Sequence, residues 1–165
     1  MSRNSTSALV GGAALAPPVL PRPASDAAAA ITRGVRRYLA DHGVQGVVEF
    51  CLANGRRADI LGLSDKGEVT IIEVKSCPAD FKTDHKWQEY LEFCDRFYFA
   101  VSPDFPNELI PAECGLIVAD AFGAEVVRPA PTRDMSPARR KALILKVALA
   151  AMTRLHRVED PTRAL

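Results

Sequence analysis

Residues 58–76, ADILGLSDKGEVTIIEVKS, place two apolar runs on either side of the turn signal Asp65-Lys66-Gly67 and so read as a β-hairpin. Among residues that otherwise belong in a core, the hairpin carries Asp59, Glu73 and Lys75. A lone charge in a dry interior costs several kcal/mol or loses its ionisation, so the three charges need an account. A type I turn with Gly67 in the left-handed position, closed by Ser64 opposite Glu68, sets Leu63 against Val69, Leu61 against Ile71 and Asp59 against Glu73. The two acids then meet on one face of the sheet, and the period of two brings Lys75 to the same face. A loop changed by one residue would send Asp59 and Glu73 to opposite faces.

The flanking sequence supplies the rest of a mixed sheet. Ser25 caps a helix running to about His42, with Ile31, Val35, Tyr38 and Leu39 on one stripe and Arg33, Arg36 and Arg37 on the other side. VVEFCL (47–52) precedes the hairpin across Asn54-Gly55. After Pro78 a polar and aromatic helix is expected to end near Cys94, followed by RFYFAV (96–101), a Pro-rich loop with a single 3₁₀ turn, GLIVAD (115–120) and AEVVR (124–128). Ser136 and Pro137 open a last helix through ARRKALILKVALAAMTRL. Three meandering strands, then a helix crossing to a further strand, give an α/β fold with helices on both faces. Ile60, Ile72 and Val74 face one layer, and Leu61, Leu63, Val69 and Ile71 the other.

At 165 residues the chain suits one domain, expected over 25–158, between a disordered Ala- and Pro-rich tail at 1–24 and a flexible end at 159–165. Hydrophobic residues at 48% and charged residues at 25% are those of a globular protein, and a net charge of +1 means that any nucleic-acid contact needs a local basic face. No run reaches the length of a membrane span, and the apolar piece ALVGGAALA is broken by Gly-Gly and followed by Pro-Pro, so a cytoplasmic protein is expected. Cys51, Cys77, Cys94 and Cys114 lack metal-knuckle spacing and read as buried free thiols. In the last helix Leu143, Ile144, Leu145, Val147, Leu149 and Met152 cover more than one stripe. That excess suggests a homodimer or protein partner on this helix, or a helix wedged into the core.

Two carboxylates a few Å apart repel unless a cation lies between them. Lys75 can serve, closing a structural ion triad. Mg²⁺ or Mn²⁺ can serve equally, since a hard cation takes oxygen ligands and could add the backbone carbonyl of Val74.

An acid on one strand and acid-x-Lys on the next, in a helix, three strands, helix, strand frame, resembles the PD-(D/E)XK nuclease superfamily, whose fold is restriction-endonuclease-like with an αβββαβ core. Asp59 and Glu73-Val74-Lys75 are the matching residues. A closer resemblance covers nearly all of residues 30 to 157. EFCLANGRRADILGL, IIEVKSCPADFKTDHKWQEYLEFCDRFYFAV and GLIVADAFGAEVVRPAP are similar to the MmcB family of bacterial DNA repair proteins.

The resemblance implies a metal-dependent DNA endonuclease in which Asp59 and Glu73 hold the metal and Lys75 orients the attacking water and offsets charge on the phosphate. Superfamily nucleases often draw a further acid from the first helix. Here that helix offers arginines and, at its last turn, Asp41, so Glu49 in the preceding strand is the better candidate. Arg56, Arg57, Lys82 and Lys86 flank the motif and are expected to grip phosphates. Gln88 and Tyr90, two apart, cannot share a helical face and receive no accessory role. His85 reads as an exposed residue rather than a proton shuttle, and Trp87 and Tyr90 as core rather than base-stacking groups. The rival reading is a DNA-binding or recruitment module that does not cleave and keeps the acids for structure.

Overall fold

The computed structural model of the chain describes residues 25–82 and 86–162, apart from the side chains of Asp80 and Lys82. The N-terminal stretch expected to be disordered, His85 and the last three residues lie outside the described residues. Six strands form one sheet in the order β1(Val44–Cys51), β2(Arg57–Ser64), β3(Val69–Lys75), β4(Arg96–Val101), β5(Gly115–Ala119), β6(Ala124–Arg128). The pairs β1–β2, β2–β3 and β5–β6 are antiparallel, while β3–β4 and β4–β5 are parallel. This is the mixed α/β arrangement expected from the sequence, with helices on both faces and a long C-terminal helix.

On one face lies α1(Asp26–Asp41), begun where Ser25 Oγ accepts the Ala28 N–H at 3.2 Å. Its buried Ile31, Val35 and Leu39 recur at helical spacing and pack against Ile60, Ile72, Tyr98, Ala100 and Ile117. Gly34 lets the helix touch the β5–β6 turn, because a Cβ there would lie 2.1 Å from Asp120 O and 2.4 Å from Gly123 O. Both atoms are backbone and cannot swing aside. Gly34→Ala should therefore destabilise the fold by about 3 kcal/mol, the cost of overpacking a closed contact. A thermal melt checks this, and an unchanged Tm would mean that α1 is not held so closely.

The opposite face carries α2(Pro78–Lys82), a 3₁₀ helix over Trp87–Phe93, and α3(Pro137–Glu159). The single helix expected from Pro78 to near Cys94 is thus two pieces. Trp87, Tyr90 and Phe93, the buried residues of the second piece, are spaced by three, which aligns them on a helix with three residues per turn and would make them drift on one with 3.6. Trp87 and Tyr90 stack on Phe97 with ring centroids 5.7 and 5.9 Å away, so both belong to the core, as expected. Only Leu143 and Val147 of α3 are buried.

Where β3, β4 and α3 meet, Asp95 binds all of them. Its Oδ2 accepts the Val69 N–H at 2.7 Å, and its two oxygens accept from Arg140 Nη1 and Nη2 at 2.7 and 2.6 Å. The cysteine expectation holds for half the set: Cys94 and Cys114 are buried, their thiols pushed up to about 12 mainly by burial. Cys51 and Cys77 are exposed, the first at the end of β1 and the second in the turn before Pro78.

Candidate active site

The site begins with a turn that fixes a register. Gly67, at φ 77°, donates its N–H to Ser64 O at 3.0 Å, and Ser64 N–H donates to Glu68 O at 3.0 Å. The strands leaving this turn pair Leu63 with Val69, Leu61 with Ile71 and Ile60 with Ile72, as the sequence implied. One residue further, side chains take over from the backbone ladder. Asp59 N–H donates to Glu73 Oε1 at 3.3 Å, and Val74 N–H donates to Asp59 Oδ2 at 2.8 Å. Each acid thus reaches across to the other's strand, which draws the two carboxylates together. A carboxylate offers about four acceptor positions, so the Val74 N–H does not exhaust that of Asp59.

Glu49 falls on the same row. The β1–β2 pairs Val48–Ile60 and Phe50–Ala58 bracket it and leave it opposite Asp59. Its φ of 51° is left-handed, a conformation that costs a residue with a Cβ about 1 kcal/mol. The chain consequently turns over at this point, with Val48 packing toward α1 and Phe50 toward the other layer. Arg154 of α3 holds the distortion, donating from Nη1 to Val48 O at 2.7 Å and from Nη2 to Glu49 O at 3.1 Å. Arg57 Nε lies 2.6 Å from Glu49 Oε2, yet that buried oxygen receives no hydrogen bond. The pair is therefore an ionic contact without an aligned N–H.

Burial dominates the electrostatics. Glu73 and Lys75 are 5% and 7% exposed, and both lie at the end of β3, on the side of the sheet where the parallel strands β3 and β4 finish. In open α/β sheets ligands bind outside such strand ends. Burial raises the Asp59 carboxyl above its ordinary range. The Val74 N–H and the charges of Lys75 and Arg57 pull it down, while the Glu49 charge pushes it further up. Ionised Asp59 is thus under-compensated, the state that a cation relieves. Among the described residues no three His, Cys, Asp or Glu side chains form a metal cage. The donors fit Mg²⁺ in another way, as two hard carboxylates brought together while water completes the shell.

The expected phosphate grips differ in fate. Arg56 forms a two-pronged ion pair with Glu89, Nε to Oε2 at 2.6 Å and Nη2 to Oε1 at 2.9 Å. With Asn54 Nδ2 donating to Glu89 O at 3.0 Å, it ties the β1–β2 turn to the 3₁₀ helix. Arg57 faces Glu49, Lys86 is exposed, and the side chain of Lys82 lies outside the described residues. The arginines thus build the site's wall. Sequence reasoning missed Arg154, because no local pattern joins a helix position to a strand 105 residues away.

Three comparisons bear on this arrangement. The family model described as "DNA repair protein MmcB-like" matches residues 16–162. A solved structure, the SPO1766 protein of unknown function from Silicibacter pomeroyi, is similar at 49% identity and a TM-score of 0.82, covering 86% of this chain and 97% of that one. No curated protein matches the chain.

Proposed function

Because the chain belongs to the MmcB-like family of DNA repair proteins, we propose that it is a metal-dependent DNA endonuclease with its active site on the β2–β3 hairpin. The observation that carries this reading is the crossed pair of acids, in which Asp59 and Glu73 hold each other's strand through backbone N–H groups while Lys75 lies buried two residues further on. Asp59 and Glu73 would hold a hard divalent cation, Mg²⁺ or Mn²⁺, with the Val74 carbonyl as a candidate further ligand, while Glu49, paired with Arg57, adds charge beside them rather than a third carboxylate ligand. A cation bound there supplies Lewis acidity toward a phosphoryl oxygen and lowers the pKa of a water. Lys75, on the face of the sheet that bears the acids, orients the scissile phosphate and offsets the negative charge that grows on it during in-line attack. Lys82 and Lys86, in the segment after β3, would hold flanking phosphates. Arg57 sets the position of Glu49 by charge, and Arg56 fixes the turn beside it.

A second reading, a non-cleaving DNA-binding or recruitment module, is favoured by one observation. The acids accept backbone N–H groups and so have a structural task without any metal. The purified protein, incubated with labelled branched, damaged and plain DNA, separates the two. The endonuclease nicks at least one substrate only when Mg²⁺ or Mn²⁺ is present, and Lys75→Met, which keeps the apolar stem, slows nicking by about a hundredfold or more. Binding without metal-dependent scission across the whole panel would leave the recruitment reading standing.

A further inference from the structure

We infer that α3 pairs with α3 of a second copy of the chain in antiparallel orientation, through a seam of Leu145, Ala148, Met152 and Leu155 closed at its ends by Lys141 and Glu159. The inner side of this helix is already committed. Leu143 and Val147 are buried, Arg140 grips Asp95, and Arg154 holds the carbonyls of Val48 and Glu49. These anchors fix the helix about its own axis, so its outer side cannot roll inward. Yet that side is apolar: Leu145, Leu149, Met152 and Leu155 are 60%, 58%, 66% and 56% exposed. Side chains this large left in water along one helix mark an interaction surface.

The spacing along the outer side selects the kind of partner. Lys141, Leu145, Ala148, Met152, Leu155 and Glu159 advance alternately by four and three residues, the repeat that keeps a seam facing a second helix. Set against itself in reverse, this series matches layer by layer. Leu145 meets Leu155 of the second copy, the small Ala148 meets the long Met152, and Lys141 meets Glu159. The opposite alignment would set Lys141 on Lys141 and Glu159 on Glu159, so charge excludes parallel pairing. Self-matching under reversal is the signature of a two-fold contact. The seam is about 27 Å long at the helical rise. That gives a contact near the small end of stable interfaces, consistent with dissociation in the micromolar range.

Sedimentation of the full chain over about 1–100 µM tests the pairing. The average mass should climb from one chain toward two. Met152→Glu, at an exposed position that leaves the fold intact by circular dichroism, should hold the protein monomeric. Lys141→Glu and Glu159→Lys should each weaken association by about three- to tenfold, and the two together should restore it, because the charge pair is merely exchanged. A wild-type chain that stays monomeric throughout overturns the inference. So does a double exchange that associates no better than the single ones.

Discussion

Asp59→Asn is expected to abolish metal-dependent nicking, by about a hundredfold to a thousandfold, while raising the stability of the protein at pH 7. Few substitutions move activity and stability in opposite senses, and the reason here lies in the position of the carboxyl. Burial raises its pKa in the folded protein and the Glu49 charge adds to the rise, against the Val74 N–H, Lys75 and Arg57. The unfolded chain therefore ionises Asp59 first as pH increases. Stability linked to this group is complete below the unfolded value, near 4, and is lost as pH climbs through the raised folded value. Asparagine has no proton to lose, and its carbonyl oxygen can still accept from Val74. Wild type and variant should melt alike in acid and diverge at neutral pH, with the variant higher by a few degrees. Mg²⁺ adds a second readout. At a hundredfold excess over its Kd a metal that binds only the folded state stabilises wild type by about 2.7 kcal/mol, and it should leave Asp59→Asn unmoved. Equal shifts in both proteins, or nicking that survives the substitution, would remove Asp59 from the site.

Asp95→Ala should be strongly destabilising, at about 3 kcal/mol. The carboxylate is 6% exposed and joins the start of β3 to Arg140 of α3. Its removal strands the Val69 N–H and a guanidinium. Arg140 retains partial exposure and its bond to Gly67 O at 2.8 Å, which keeps the loss from being larger. The sign of the pH effect is opposite to that at Asp59. The hydrogen-bonded Arg140 holds Asp95 below the usual carboxylate range, with the Val69 N–H acting in the same sense against burial. The stabilisation is therefore present above the unfolded value, near 4, and is lost as pH falls through the lower folded value. Urea melts at pH 7 and in strong acid give the test. The two proteins should differ widely at neutral pH and converge in acid, and a constant difference at both would contradict the assignment.

The hairpin was legible because its information is local. Three turn residues and a period of two set the register that the pairs from Leu63–Val69 to Ile60–Ile72 follow, and nothing distant can shift it without moving every apolar side chain to the wrong face. The capped ends of α1 and α3 were legible for the same reason, since Ser25 and Ser136 act within three residues of themselves. The segment from Pro78 to near Cys94 was read as one helix because aromatic, polar and helix-forming residues look alike in 3₁₀ and α segments until the spacing of Trp87, Tyr90 and Phe93 is weighed, two of them resting on Phe97. Arg56 and Arg57 were expected to face phosphate, but their partners Glu89 and Glu49 come from segments that only the folded chain brings near. Arg154 and the left-handed backbone of Glu49 left no trace in the sequence. The repair family was legible from long stretches around the hairpin, and the matching family model agrees with that reading.

Because β1 is one of the two edge strands, its backbone is also where a neighbouring chain could add itself to the sheet. The contact between Arg154 and that strand closes this opening. A guanidinium sits on two successive carbonyls, those of Val48 and Glu49, and the reversal at Glu49 bends the strand out of the straight run that strand addition requires. The distortion that brings an acid beside Asp59 thus also blunts strand addition at this edge of the sheet. A chain shortened ahead of Arg154 would lose a guard on its solubility together with a turn of helix.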